Sequence, residues 1–295
     1  MIPLKFRTLS RTMRENLDLY DYFKTLMIVD DGHSFANPSN VLTPVTLTNG
    51  ISGLLSTLGP SPWLHTLVLS TTRNLMYLSP LAVYEVMTQL PALKTLTIQG
   101  FGLPRGDLYI VQRRRGTSRV ENLYFDNVEW MEAKTLAPLV QLCKELKKFR
   151  CSCWTYFSFM RGTAPALFEP YRDCLESLSN MNSHEFYDQG DCFTKFTALK
   201  ELTIRGDMFW PMLEDGERID DAEEGVEFIV NQFLPKGLKK LNILNSSHWR
   251  KGIIKTTLRD STSLPEFAIP GGWSAIKGAF LDKGIQVKIV NSVNG

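Results

Sequence analysis

The sequence has little of what a catalyst carries. It contains no Gly-x-Ser-x-Gly, no phosphate-binding loop, no His-Glu-x-x-His and no dinucleotide-binding fingerprint. The histidines are scattered, and His33 lies in the segment Asp30-Asp31-Gly32-His33. Adjacent residues in a loop rarely meet in the geometry of a catalytic acid–base pair. The sequence therefore predicts a protein that is not an enzyme and that needs no cofactor.

Long apolar runs and charge of one sign are missing as well. No run approaches the roughly 18 residues that a membrane span needs. The first twenty residues carry Lys5, Arg7, Arg11, Arg14 and Glu15, which exclude the apolar core of a signal peptide. The formal net charge is +2, so no strong overall field favours nucleic acid, membranes or acidic substrates. We expect a cytoplasmic or nuclear protein that binds neither nucleic acid nor membrane.

Cysteine occurs in an odd number, five, without any Cys-x-x-Cys pair. A structural zinc site usually draws on such pairs for its tetrahedral ligands. Free thiols in a reducing compartment, and no metal, are therefore expected. A hydrolase or metal enzyme in segment 150–195 is the alternative, because the cysteines cluster in that part of the chain near His184. The cysteines are Cys143, Cys151, Cys153, Cys174 and Cys192.

What the sequence does have is a repeated pattern of three apolar residues. Two residues separate the first apolar residue from the second, and one residue separates the second from the third. Intervals of 24 to 39 residues separate the copies from Leu64 onward, a period typical of stacked repeat architectures. The clear copies are Leu64/Leu67/Leu69, Leu93/Leu96/Ile98, Val120/Leu123/Phe125, Leu146/Phe149/Cys151, Leu199/Leu202/Ile204 and Leu238/Leu241/Ile243. Weaker copies are Phe23/Leu26/Ile28 and Leu175/Leu178, and Val287-Lys288-Ile289 is typical of a closing strand.

Helical periodicity fills the stretches between these segments. It predicts helices over Ser79–Leu90, Glu132–Leu146 and Ala222–Phe233, the last with a capping box of Asp220 and Glu223. Each unit therefore reads as strand, loop and helix, and its apolar faces are buried only when units stack. The prediction is an α/β solenoid with a parallel sheet on its concave face and helices on its convex face. It forms one domain over residues 1–295, with about 8 repeats and irregular inserts near 29–60 and 205–235.

The Leu-x-x-Leu-x-Leu core over about residues 20–290 resembles the leucine-rich-repeat family, in particular its ribonuclease-inhibitor-like branch. The family's Asn or Cys three residues after the third apolar position is replaced by Phe101, Val128 and Trp154. The irregular units, and the opening segment from Arg7 to Leu19, resemble the repeat region of fungal F-box proteins and the segment that follows their F-box.

No F-box precedes this segment in the sequence, so we expect either a truncated form or a relative that lost the adaptor module. The resemblance implies a protein-interaction module that recognises substrates for a ubiquitin ligase. Ubiquitin-ligase components are expected among its partners if an F-box lies upstream. The alternative is an orphan repeat scaffold that binds a partner unrelated to ubiquitin.

Two candidate binding surfaces follow from the repeat. The first is the concave face, to which residues between the apolar strand positions point because side chains alternate along a strand. The alternative is a solvated face without a partner. The candidate binding residues of the concave face are Tyr124, Lys148, Arg150, Glu201, Arg205 and Lys240. The second is an aromatic rim just after the strands, which packing between stacked loops explains equally well. Its residues are Trp130, Trp154, Trp210 and Trp249.

Overall fold

A computed structural model of the chain shows two compact units, Met1–Ser158 (unit 1) and Phe159–Gly295 (unit 2). Both contain parallel strands, and α-helices connect strands in unit 1, so the predicted α/β class is confirmed at this level. The prediction of a single solenoid over 1–295 stays a prediction. The residues that the structure describes are 24–30, 62–72, 77–103, 115–128, 131, 133–153, 167–180, 193–205, 231, 234–245, 277–278 and 280–291.

In its described part, unit 1 contains five strands that run parallel, and each pairs with the next strand along the chain. Parallel neighbours need a crossover connection, because a tight turn cannot bring the chain back to the same end of the sheet. The strands are β1 (Thr25–Asp30), β2 (Thr66–Thr71), β3 (Thr95–Gln99), β4 (Asn122–Val128) and β5 (Lys148–Cys153).

The register of these strands aligns the apolar positions of the sequence repeat. The second positions form one row across β2 to β5, and the third positions form another. All are buried, so one side of the sheet is the core of unit 1 and the residues between them face the other side. The rows are Leu67, Leu96, Leu123 and Phe149, and Leu69, Ile98, Phe125 and Cys151.

Among the described residues of unit 1, two α-helices lie between strands. Helix α1 (Pro80–Gln89) begins after Ser79, whose Oγ accepts from the Leu81 N–H at 3.2 Å, which confirms the helix predicted over Ser79–Leu90. Helix α2 (Ala133–Leu142) ends before the predicted Leu146. It ends early because Leu146 is buried as the first apolar position of β5, and Cys143 forms a parallel bridge with Ser118.

The starts of the strands share one hydrogen-bond pattern. The carbonyl oxygen of the residue directly before one strand accepts from two successive N–H groups at the start of the next. For example, the Glu121 carbonyl accepts from Lys147 at 2.7 Å and Lys148 at 3.0 Å. The same pattern in both units fixes the register, and it places equivalent repeat positions side by side. The acceptors are Lys24, His65, Lys94, Glu121, Glu176 and Lys200.

Glycine is required directly after β3. Gly100 has φ +75°, and a Cβ there would overlap the backbone carbonyl oxygen of Thr71. Its N–H donates to the Asp126 carbonyl at 2.9 Å. This turn therefore holds the end of β3 against the part of β4 that carries Asp126.

Unit 2 contains four strands among its described residues, also parallel and paired in chain order. Its inward rows are aliphatic, whereas its tilted aromatic pair, Phe193 and Phe196, lies outside the strands with ring centroids 5.6 Å apart. The strands are β6 (Ser177–Asn180), β7 (Glu201–Arg205), β8 (Lys240–Asn245) and β9 (Gln286–Asn291). Short 3-10 helices span Glu169–Tyr171 and Phe193–Lys195. Apart from Asn231, the helix predicted over Ala222–Phe233 lies outside the described residues, as do Asp220 and Glu223.

The helices in the described part of the chain are too short or too polar to cross a lipid bilayer.

Candidate functional site

The side of the unit 1 sheet that faces away from the core is the candidate binding surface. We call it the exposed face of unit 1. Its residues alternate with the buried rows, and none of those in β2 to β5 is a large aliphatic side chain other than Val68. Through β2 to β4 the face carries small polar groups, and its charges lie on β4 and β5. Its members on β2 to β5 are Thr66, Val68, Ser70, Thr95, Thr97, Gln99, Asn122, Tyr124, Asp126, Lys148 and Arg150. On β1 it also carries the exposed side chains of Met27 and Val29, in register with Val68 and Ser70.

Three of these residues form a cluster, which we call the Tyr124 cluster: Tyr124, Asp126 and Arg150. The Arg150 Nε donates to Asp126 Oδ1 at 2.7 Å, and its Nη2 donates to Asp126 Oδ2. The guanidinium carbon of Arg150 also lies 4.8 Å from the centroid of the Tyr124 ring. A planar guanidinium can do both at once, because its edge pairs with a carboxylate while its flat side covers an aromatic ring.

The cluster remains open to solvent although its members hold each other. The Arg150 side chain is 45% exposed and that of Asp126 is 21% exposed. Partial burial raises the pKa of Tyr124, an effect that the nearby positive charge of Arg150 partly offsets. The phenol is therefore neutral near neutral pH, and its hydroxyl can donate a hydrogen bond to a bound group.

Polar side chains also connect neighbouring strands around the cluster. The Asn122 Nδ2 donates to Thr95 Oγ1 at 3.0 Å, and the Ser70 hydroxyl donates to Gln99 Oε1 at 3.4 Å. Unit 2 has a similar pair, in which Asn242 Nδ2 donates to Thr203 Oγ1 at 2.9 Å. Such cross-strand pairs restrict side-chain rotamers, so the exposed face is held in shape before any partner binds.

A charged row borders the exposed face of unit 1 at the beginning of the strands. We call Lys94, Glu121 and Lys147 the strand-start row. The Glu121 carboxylate pairs with Lys147 Nζ at 2.7 Å and with Lys94 Nζ at 3.7 Å. The hydrogen bond from Lys147 and the charges of both lysines lower the pKa of Glu121, although burial acts in the opposite direction. The recurrent Leu-Lys pairs of the sequence thus supply cations that bridge neighbouring strands.

The predicted binding residues divide between the two units. Tyr124, Lys148 and Arg150 lie on the exposed face of unit 1, and the structure brings Tyr124 and Arg150 into contact. Glu201 and Lys240 lie on paired strands of unit 2, with Lys240 Nζ 3.9 Å from Glu201 Oε1. Arg205 is paired with Leu244 as the last residue of β7.

The predicted aromatic rim falls outside the described residues. Its four members, Trp130, Trp154, Trp210 and Trp249, therefore keep both interpretations, a binding surface or packing between loops.

Four contributors to the site were not predicted as site residues from the sequence: Asp126, Glu121, Lys94 and Lys147. Alternation placed Asp126 on the exposed face, but nothing in the pattern indicated that it would pair with Arg150. Glu121 and its lysines lie one position before the alternating residues. The signal that could have identified them was an acid at the same repeat position as the recurrent lysines, since equivalent positions lie side by side.

No disulfide bond joins Cys143, Cys151 or Cys174, the cysteines whose side chains the structure describes. Cys143 and Cys151 are buried, and burial raises the pKa of Cys143 to about 12, so this thiol stays protonated. Within the described part of the chain, no group of three His, Cys, Asp or Glu side chains could hold a metal ion. His184 and Cys192, in the segment of the enzyme alternative, lie outside it.

Comparison with known proteins gives no relative to guide the assignment: no protein-family model matches the chain, and no curated protein matches it.

Proposed function

We propose that the chain is a non-catalytic protein-interaction module, built as a leucine-rich-repeat-like solenoid, and that it binds its partner through the exposed face of unit 1. The observation that carries this proposal is the Tyr124 cluster. An arginine and a tyrosine are held against each other on an open sheet face, and the arginine is anchored by an adjacent carboxylate.

Such a cluster has the properties of an interface anchor. Arginine and tyrosine are among the residues that most often dominate binding energies at protein interfaces. A side chain that is already fixed loses less conformational entropy on binding than a mobile one. On β2 and β3 the threonines and Ser70 leave a surface without bulky side chains, against which a partner can lie closely. On β1 the face continues with the exposed side chains of Met27 and Val29.

A narrower version of the proposal is substrate recognition for an F-box-type ubiquitin ligase. Its support is the resemblance of the irregular repeats, and of the segment from Arg7 to Leu19, to fungal F-box proteins. If this version is correct, ubiquitin-ligase components should co-purify with the full-length protein from its native cells. If the broader proposal of a repeat scaffold with an unrelated partner is correct, a partner should co-purify without ubiquitin-ligase components.

Site-specific photo-crosslinking tests the face. A photoreactive amino acid is placed at Thr97, which is next to Val68 and Tyr124 in the register of the exposed face. A second probe at Leu81, an exposed position on α1, is the matched control. Illumination in native cell extract, followed by mass spectrometry, identifies proteins that join to either probe.

We expect a protein that crosslinks at Thr97 and not at Leu81, and that is lost when Arg150 is replaced in Arg150→Glu. Circular dichroism and thermal melting are used to check that the variant is folded. If the folded variant recovers the same proteins with the same yield from Thr97, Arg150 is not the anchor. If Thr97 captures no protein that Leu81 does not also capture, the assignment of the exposed face is wrong. The aromatic rim then becomes the better candidate.

A further inference from the structure

We propose that the exposed face of unit 1 recognises an acidic segment of its partner protein, with a partner carboxylate bound to the remaining edge of the Arg150 guanidinium. This inference rests on the proposed function and names the chemistry of the partner. It makes Arg150 the residue that determines specificity, and Asp126 a positioning residue.

The donors of Arg150 supply the first step. A guanidinium has five N–H donors, and Asp126 takes the edge formed by Nε and Nη2. The edge formed by Nη1 and the second N–H of Nη2 has the same forked geometry, which fits a second carboxylate. The pairing with Asp126 and the contact with Tyr124 fix the plane of the guanidinium, so that this edge has a defined direction.

The balance of charge on the face supplies the second step. Among the described residues on and beside the face, the acids are paired within the molecule: Glu121 pairs with Lys147 and Lys94, and Asp126 pairs with Arg150. Lys148 lies two residues before Arg150 on the same strand face, and it pairs with no acid in the described part of the chain. Basic groups therefore exceed acidic groups around Arg150, and a negatively charged segment complements them.

Discrete carboxylates suit this face better than a nucleic acid does. Arg150 covers one side of the Tyr124 ring, so that side cannot stack with a base. A continuous phosphate backbone would also run past the carboxylates of Asp126 and Glu121. A protein segment can place one acidic side chain at Arg150 and another at Lys148. It can also keep its charges away from the carboxylates of Asp126 and Glu121.

Fluorescence anisotropy of labelled probes with the full-length protein tests the inference. The acidic probe is a short peptide in which Glu alternates with Ala. The controls are the matching Gln–Ala and Lys–Ala peptides and an oligothymidylate of similar net charge. Titrations are made at low and at physiological ionic strength, because exposed charge pairs weaken as salt is added.

We expect only the Glu–Ala peptide to bind appreciably, and to bind about tenfold more weakly to Arg150→Gln. The variant Arg150→Lys should lose nearly as much, since it keeps the charge and loses the fork. Lys148→Gln should lose less than Arg150→Gln. Lys195→Gln removes one exposed positive charge from unit 2 and should bind like the wild type.

Asp126→Asn gives a readout that a damaged fold would not give. The asparagine oxygen can still accept from Arg150 Nε, and the Tyr124 ring still lies against the guanidinium, although Nη2 loses its acceptor. The substitution removes a negative charge close to the proposed carboxylate, and affinity for the Glu–Ala peptide should rise about two- to threefold. Weaker binding by Asp126→Asn would contradict this arrangement.

Two results overturn the inference. Equal binding of the oligothymidylate with the same response to the variants would assign the face to nucleic acid. Failure of every acidic peptide to bind, while the Thr97 probe still captures an Arg150-dependent partner, would reject acidic recognition and leave the proposed function standing. Conversely, acidic peptides that bind through Arg150 without any partner captured at Thr97 would support the charge preference and count against the proposed function.

Discussion

Unit 1 and unit 2 have the same parallel strand arrangement, but they present different chemistry on it. In unit 1, Arg150 and Asp126 on neighbouring strands pair at 2.7 Å and the arginine covers Tyr124. In unit 2, Glu201 and Lys240 also lie on neighbouring strands, yet their charged atoms are 3.9 Å apart and both side chains are about half exposed. The repeat sets the position of each side chain on the sheet. The residue type at that position determines whether neighbouring side chains form a rigid group.

The cores beneath the exposed strands of the two units also differ, in whether aromatic side chains join neighbouring strands. Phe125 lies between Tyr124 and Asp126 on β4, and Phe149 lies directly before Arg150 on β5. Their buried rings are tilted against each other, with centroids 6.3 Å apart. The inward rows of unit 2 are aliphatic. The two strands that carry the Tyr124 cluster are thus joined by an aromatic pair on their opposite side, which ties the geometry of the site to the core.

The largest expected effect comes from breaking this pair. Phe125→Ala should lower the free energy of unfolding by about 3–5 kcal/mol, because it removes a fully buried ring and leaves a cavity. It should also loosen the Tyr124 cluster and weaken partner binding. Urea denaturation and the anisotropy assay measure the two effects.

Phe193→Ala is the matched variant in unit 2, where Phe193 contacts Phe196 outside the strands. It should lower stability by a similar amount, about 3–5 kcal/mol, while partner binding by the folded protein is unchanged. Equal loss of binding in both variants would show that the core pair of unit 1 has no special connection to the site.

Glycine substitutions give the next largest effect. Gly100→Ala should lower the free energy of unfolding by roughly 3 kcal/mol, because the added Cβ meets the Thr71 carbonyl oxygen at a positive φ. Gly284 in unit 2 has φ +76° and open space around a Cβ, so Gly284→Ala should cost only about 1 kcal/mol. Thermal melting of the two variants compares them, and equal losses would mean that the close contact at Gly100 relaxes.

Periodicity predicted the strands well and the site only in part. The apolar positions aligned the strands correctly, because one-residue shifts would expose every buried row. The closing strand predicted at Val287–Ile289 is longer in the structure, where β9 spans Gln286–Asn291. Helix α2 was overextended because the apolar spacing of helix and strand overlaps between Cys143 and Leu146.

The Tyr124 cluster could be predicted from the sequence only in part. Alternation placed Tyr124, Asp126 and Arg150 on the same face. It could not tell that Arg150 turns toward Asp126 rather than toward Lys148 or solvent, since rotamers depend on neighbouring strands. The lysines of the Leu-Lys pairs were visible in the sequence, but their partner Glu121 belongs to a copy that lacks the pair.

A smaller effect separates the two ion pairs of the comparison. In a double-mutant cycle with Asp126→Ala and Arg150→Ala, we expect a coupling energy of about 1 kcal/mol, at the upper end for an exposed pair. The cycle with Glu201→Ala and Lys240→Ala should give about 0–0.3 kcal/mol, because the atoms are farther apart and more exposed. Urea denaturation provides both values. Equal couplings would mean that the bidentate geometry of the unit 1 pair adds nothing to stability.

A further small effect concerns the strand-start row and its dependence on pH. The hydrogen bond from Lys147 holds the pKa of Glu121 below its ordinary value, so the folded protein binds this proton less readily than the unfolded chain does. The charged pair therefore stabilises the fold above the ordinary glutamate pKa of about 4.3. This contribution is lost as the pH falls through the lower, folded pKa.

Glu121→Gln should accordingly lower the free energy of unfolding by about 0.5 kcal/mol at neutral pH, and the difference from the wild type should disappear in acid. Glu176→Gln is the matched variant in unit 2. Its partner Lys200 lies 3.3 Å away and both side chains are more exposed than Glu121, so a smaller loss is expected. Urea denaturation across the acidic range measures both. A Glu121→Gln deficit that persists where the glutamate is protonated in both states would mean that shape, rather than charge, is what this position contributes.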